Sequence, residues 1–339
     1  MTVRHVLSVT ELGANNLAHL VQESLLISAG KQKIKRPLAG KVVGIYFRGT
    51  STRTRTAFTV GATHLGAATI SYGPNDLQIV TGETIEDTAR VLANFLDILV
   101  IRTNQSLAEM RALANQQNMS IVNAMSDNEH PTQAIADLVT LHEEFGHLDG
   151  LHVLYLGEGN NSAASLALAV AQTPGMSLTL ITPAGYALDE DILETANQLA
   201  RIHGASIEHH HRIDRLPRNV DAVYTTRWQT MGVPKAEANW QEKFEPFRVT
   251  QALMAHVSKP VGTIFLHDLP AVRGVDVDDE VLDGPQSRAF RQARHKMTSA
   301  MAVLAWCAGD VLDEEPSLTL RLSETGSANA WGDRVWRVY

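Results

Sequence analysis

Cysteine is nearly missing: the 339 residues contain one, Cys307. An internal disulfide framework is therefore excluded, and the usage fits a reducing cytosol. Excess positive charge is missing too. Lys and Arg number 29 against 37 Asp and Glu, a net charge of -8, so no global basic field points to nucleic acid or an anionic membrane. Long apolar runs are absent: the most apolar stretch, "AMAVLAWCAG" (300–309), is too short to cross a bilayer. The opening "MTVRHVLSVTEL" has no apolar core of signal-peptide length. Internal repeats, low-complexity tracts and the Walker pattern GxxxxGK[ST] are all lacking, so a nucleoside triphosphate is not the natural ligand. With 44% apolar residues, 19% charged and a mean hydropathy of -0.09, the composition is that of a soluble globular protein, expected to be a cytoplasmic enzyme.

What is present is an alternation. Strand-like runs at 41–47, 67–72, 97–102, 120–124, 151–156, 177–182, 221–225 and 262–266 are interleaved with helix-like segments. The helices fall near 53–65, 83–95, 106–118, 131–145, 162–172, 189–203 and 286–308. This rhythm predicts an α/β protein with parallel sheets covered on both faces, and the length suffices for two domains. "EEFGHLDGLHV" (143–153) ends a helix with Gly146 and places Gly150 before a new strand, so a boundary is expected near 148–151. The divisions are then 1–150, 151–285, a C-terminal helix at 286–308, and an irregular tail at 309–339.

Positive charge matters only where it is concentrated. In "FRGTSTRTRTAF" (47–58) arginines stand at 48, 53 and 55, where a helix is expected to begin. A helix N-terminus already carries partial positive charge. The conflict disappears if an anion docks there, on backbone amides, the Ser51 and Thr52 hydroxyls and a guanidinium fork. Ser51 is the expected N-cap. Arg53 and Arg55 lie about 200° apart around a helix, so one faces the ligand while the other braces the loop.

Other motifs are weaker. "LYLGEGNNSAAS" (154–165) has glycines for a tight strand-to-helix turn, but Ser162 fills the third glycine position of the dinucleotide fingerprint. No acid follows "LTLITP" (178–183) either, so a nicotinamide cofactor is not expected. "HEEFGH" (142–147) has one residue too many between its histidines for a zinc helix. "IEHHHRID" (207–214) reads as a strand end and solvated loop.

"STRTR" after a strand resembles the carbamoyl-phosphate signature of the aspartate and ornithine carbamoyltransferases. The likeness continues in order across 40–308 through "DLQIVTGETIEDTARVL" (76–92), "IRT" (101–103), "HPTQAIADL" (130–138), "GEGNNS" (157–162), "TMG" (230–232), "HDLPAVRG" (267–274) and "GPQSRAFRQA" (284–293). These segments look nearer to the ornithine branch.

The resemblance implies two doubly wound domains, with the C-terminal helix returning to the first, in a homotrimer with shared active sites. It implies no metal and no organic cofactor; the partners are carbamoyl phosphate and an amino-acid-like amine. Catalytic roles would fall to Arg53, Thr54, Arg102, His130 and Gln133. The donor would be held by Ser51, Thr52, Arg53, Thr54, Gln78, Arg102, His130, Gln133, Asp268, Leu269 and Lys296. Gln78 would reach a neighbouring subunit's phosphate and Glu83 would pair with Arg53. The acceptor would meet Asn161, Thr226, Arg227, Gln229, Thr230, Met231 and Asp268.

The chain departs from the ornithine pattern at four positions. Thr226 stands for the usual aspartate, Thr230 for serine, Asp268 for cysteine and Lys296 for arginine. "TTRWQ" (225–229) also resembles the aspartate-enzyme segment whose arginine and glutamine grip carboxylates. The expected activity is carbamoyl transfer to ornithine or a related diamino acid, releasing phosphate and a ureido product. The alternatives are a more acidic acceptor, aspartate-like or acylated ornithine, and a non-catalytic anion-binding regulatory paralogue.

Overall fold

Strands β1 (Val42–Phe47) and β3 (Ile98–Arg102) are apolar along almost their whole length, as strands covered on both faces must be. In the computed structural model, which describes residues 3–30, 36–229 and 235–309, they form the centre of a four-stranded parallel sheet. Its edges are β2 (Ala68–Tyr72) and β4 (Ser120–Met125), in the order β2-β1-β3-β4. Helices α1 (Val9–Ser28), α2 (Arg53–His64), α3 (Ile85–Leu92), α4 (Leu107–Ala114) and α5 (Pro131–Phe145) accompany it.

The second sheet is also parallel, in the order β7-β6-β5-β8-β9. Its strands are β5 (His152–Leu156), β6 (Ser177–Ile181), β7 (Ser206–His210), β8 (Ala222–Thr225) and β9 (Ile264–His267). Around it lie α6 (Asn161–Ala171), α7 (Glu190–His203), α8 (Trp240–Phe244), α9 (Gln251–Val257) and α10 (Asp279–Leu282). The last helix, α11 (Ala289–Cys307), packs on α1, α2 and α5 beside the first sheet, while α5 packs on α6 beside the second. One apolar cluster therefore runs from Val43 and Ile98 through Leu138 and Leu166 to Val153 and Leu178.

Both sheets reverse their winding at one place. In the first, the chain goes outward on either side of the β1–β3 pair; in the second, on either side of β5–β8. Ligands of open α/β sheets bind beyond the carboxyl ends of the strands at such switch points. Register aligns those ends: Phe47 pairs with Arg102 and Arg102 with Met125, while Leu156 pairs with Thr225 and Thr225 with His267.

Several elements differ from the expected set. Helix α1 was absent from it, because Gly13, with φ 75° and ψ 159°, breaks the helical backbone near its start and disrupts the apolar period. Strand β7 pairs with β6 over residues 206–210, where "IEHHH" reads as a strand end and loop. It is an edge strand, so its polar side chains need no burial. Helices α8, α9 and α10 are too short to show periodicity. The expected tail lies outside the described residues, apart from Gly309. "HEEFGH" is a brace: Glu143 accepts from Ser28 and contacts His295, and Glu144 receives a bidentate pair from Arg288, joining α5 to α11.

Candidate active site

The loops after β1, β3, β5, β8 and β9 and the start of α5 enclose a cavity of about 220 Å³. Its walls include residues 50–54, Arg102, His130, residues 160–162, Thr226, Arg227, Gln229, residues 268–270 and Lys296. Among the described residues, four cationic side chains thus face one space, against the single carboxylate of Asp268.

The three early arginines separate as their helical spacing requires. Arg48 donates to both carboxylate oxygens of Glu109 at 2.9 and 2.6 Å and to the Tyr46 hydroxyl at 2.6 Å. Arg55 turns back over the Phe47 ring, its guanidinium carbon 5.3 Å from the centroid. Arg53 lines the cavity. The expected Ser51 cap does not form: Thr52 is the N-cap, already helical at φ -78° and ψ -59°, and no side chain caps the helix. An early start to the winding leaves the first-turn amides without a side-chain acceptor at the cavity wall.

Arg102 closes β3 and is buried. Burial pushes its pKa down to about 10, with Arg53 adding repulsion and Asp268 opposing the shift. Burial also lowers Arg53, again against the pull of Asp268. Across the cavity Asp268 accepts from the Thr226 hydroxyl at 2.9 Å, and Asn160 donates to the same hydroxyl at 3.3 Å. Asn160 also caps α6, its side-chain oxygen accepting from the amides of Ser162 and Ala163. Asn161 donates to the Ser126 carbonyl at 2.9 Å, and Ser165 accepts from the His130 amide at 2.7 Å. Helix α6 therefore holds the histidine loop of the other half. The turn before it depends on Gly159, whose Cβ would stand 2.3 Å from the Leu188 amide nitrogen.

A buried polar chain runs behind the wall. Lys296 donates to the Gln133 side-chain oxygen, and Gln133 donates to Asp137 at 2.6 Å. Asp137 accepts further from Gln292 at 2.7 Å and from the Tyr224 hydroxyl at 3.1 Å. Burial raises Asp137 to about 7 despite those donors. Burial lowers Lys296 to about 8; Asp268 and Asp137 oppose that, and Arg53 and Arg102 add to it. His130 is driven well below its ordinary range by burial, then by Lys296 and Arg102, so its imidazole is neutral at pH 7.

Family models match almost the whole described chain. The carbamoyl-P binding domain of aspartate/ornithine carbamoyltransferase matches residues 4–143, and the Asp/Orn binding domain matches 149–307. The chain belongs to the aspartate/ornithine carbamoyltransferase family. Ornithine carbamoyltransferase of Caldicellulosiruptor saccharolyticus is 36% identical over 91% of this chain and 100% of its own length. That of Halalkalibacterium halodurans is 37% identical over 89% and 94%. Among solved structures, ornithine carbamoyltransferase from Pyrococcus furiosus superposes with a TM-score of 0.85 at 35% identity, covering 91% of this chain and 98% of that one.

Within this carbamoyltransferase the cavity gathers Ser51, Thr52, Arg53, Thr54, Arg102, His130, Asn161, Thr226, Arg227, Gln229, Asp268, Leu269 and Lys296. Gln133 is buried behind Lys296 and does not line it. Gln78 stands on an exposed turn, accepting from Thr81. Glu83 accepts from Thr88 at 2.5 Å, and the carboxylate acting on Arg53 is Asp268. Thr230 and Met231 lie outside the described residues. Thr50, Met125, Asn160, Ser162 and Pro270 join the wall without having been expected there as site residues. Of these only Asn160 had a signal, as a good N-cap residue before an apolar helix.

Proposed function

We propose that this carbamoyltransferase moves the carbamoyl group of carbamoyl phosphate to a side-chain amine of an ornithine-like diamino acid. The observation carrying this reading is the convergence of Arg53, Arg102 and Lys296 with the uncapped start of α2 on one cavity. The phosphate docks at that helix start, on Ser51, Thr52, Arg53, Thr54 and Arg102. The carbonyl oxygen faces Thr54, Arg102 and neutral His130, which donate as charge builds on it. The Leu269 carbonyl accepts from the carbamoyl NH2. Gln133 serves by holding Lys296, which faces the donor. The neutral amine attacks the carbonyl carbon, a C–N bond forms, the C–O bond to phosphate breaks, and the amine proton leaves with the phosphate.

On the acceptor side, Arg227 and Gln229 sit two residues apart in the loop after β8, and both line the cavity. Arg227 takes the acceptor carboxylate, while Asp268, held by Thr226, takes its ammonium group. Asn161 contacts the amino-acid end. This set also suits an acceptor with an additional or displaced carboxylate, which is the second reading. Gln78, with the exposed Val80, Val91 and Phe95 nearby in sequence, supports a homotrimer in which it enters a neighbour's site. The reaction belongs to amino-acid metabolism in the cytoplasm, with arginine biosynthesis as the pathway that the ornithine branch implies.

The test is phosphate release from carbamoyl phosphate with ornithine, aspartate, putrescine, 2,3-diaminopropionate and N-acetylornithine. A diamino acid is expected to turn over, and Arg53→Ala to reduce the rate by about 10²–10³. Preference for aspartate or N-acetylornithine would favour the second reading. No amine-dependent release at all would leave only a binding protein.

A further inference from the structure

We infer that His267 is a positioning residue, which sets the Leu269 backbone at the cavity wall through its ring nitrogen Nδ1. This rests on the proposed donor site, since it deepens the part played there by the loop at 268–270. His267 ends β9 and is fully buried, outside the cavity lining. Its amide donates to the Gln292 side chain at 2.8 Å, which fixes the strand end against α11. Its Nδ1 accepts from the Leu269 amide at 2.8 Å.

That hydrogen bond settles the tautomer. An Nδ1 that accepts carries no proton, so the neutral ring holds its proton on Nε2. A carboxylate stands 3.6 Å from each ring nitrogen, Asp276 from Nε2 and Asp268 from Nδ1, both too far for a hydrogen bond, so it is the Leu269 amide, a donor, that keeps the proton off Nδ1. Asp276 is itself fixed, accepting the Val272 amide at 3.1 and 2.9 Å. The chain of contacts is thus Val272 to Asp276, Asp276 to the ring, and the ring to Leu269.

The bond has a conformation to hold. Leu269 has φ 56°, in the left-handed region, where a γ-branched residue is uncommon and costs of order 1–3 kcal/mol. Strain of this kind persists only where the surroundings over-determine it. The neighbouring Asp268 and Leu269 both line the cavity. Relaxing this turn would move the carbonyl that receives the carbamoyl NH2 and the carboxylate beside the cations. The phosphate cradle on α2 would stay in place.

Three substitutions separate the acceptor function from bulk. In Asn the side-chain oxygen can occupy the position of Nδ1, in Gln the amide lies near the position of Nε2, and in Phe only ring volume remains. We expect His267→Gln and His267→Phe to lower kcat by about 10²-fold, with the binding of inorganic phosphate, measured by calorimetry, changed less than threefold. His267→Asn should recover to within about tenfold of the parent rate. Asp276→Asn, which keeps the packing but can present an amide donor to the ring, should resemble His267→Gln. Thermal unfolding of each variant verifies folding, and either position alone suffices if the other fails to fold. A His267→Phe or Asp276→Asn enzyme with kcat within threefold of the parent overturns the inference, as does an Asn variant no better than Gln. Arg53→Ala run beside them distinguishes the failures: if it still binds inorganic phosphate normally, the donor site is wrong, whereas if it does not, only the role of His267 is lost.

Discussion

A lysine enclosed with two guanidiniums is an uncomfortable charge until an anion arrives. Lys296 is lowered from 10.5 to about 8 by burial first, with Arg53 and Arg102 adding to the fall against Asp268 and Asp137. The donor dianion would favour its protonated form, so donor capture must include that proton above about pH 8. The expected outcome is a kcat/KM for carbamoyl phosphate that declines above about pH 8, at most tenfold per pH unit. Lys296→Arg should stay flat to about pH 9.5, because a guanidinium keeps its charge; a variant with an unchanged alkaline limb would refute this assignment. The sign for folding is separate. Between about 8 and 10.5 the folded chain holds fewer protons at this site than the unfolded one, so this group makes stability rise with pH there. At this scale Arg53 was legible because it contradicts the helix dipole unless an anion is present. Asp137, His267 and the true position of Gln133 were not. Each acquires its role from partners that range from two residues away, as Leu269 is from His267, to more than 150, as Gln292 is from Asp137 and Lys296 from Gln133, and no local spacing encodes that.

Two helix starts make the site, and they are used in opposite ways. Helix α2 leaves its first amides without a side-chain cap, whereas α6 is capped by Asn160, which accepts from two of its first amides and whose own side-chain amide also supports the Thr226–Asp268 pair. Asn160→Ala is therefore expected to do two things. Loss of the cap costs about 1 kcal/mol, a fall in Tm of about 2 °C in a chain of this size. Loss of support for Thr226 and Asp268 should raise the acceptor KM several-fold, with little change in the donor KM. Equal increases in both would show that α6 does not separate the two substrates. Elements with strong periods or long apolar runs were readable, including β1, β3, α2, α5 and α11. Helix α1 was hidden by the break at Gly13. Strand β7 was hidden by histidines, two of which turn to Thr182: His209 meets its hydroxyl at 2.9 Å and His211 its carbonyl at 2.8 Å.

At the scale of the whole molecule, the cavity exists because two switch points face each other; the alternating pattern implied parallel sheets covered on both faces, and two doubly wound domains followed only from the resemblance to the carbamoyltransferases. What the pattern could not convey is how the halves are held. That depends on side-chain bonds across the crevice, such as His130 to Ser165 and Asn161 to Ser126. It also leaves Gln78 outside the cavity of its own chain. If a neighbouring copy supplies Gln78, each site contains Arg53 from one protomer and Gln78 from the next. Arg53→Ala and Gln78→Ala enzymes would then each be impaired in all their sites. Refolding or co-expressing them in equal amounts creates hybrids, and in about a quarter of the sites an intact Arg53 meets an intact Gln78. Activity of the mixture should therefore climb to about a quarter of the parent value, per site, above the mean of the two variants. A mixture whose rate stays at that mean would show that Gln78 does not act in a neighbour's site and remove the argument for a shared site.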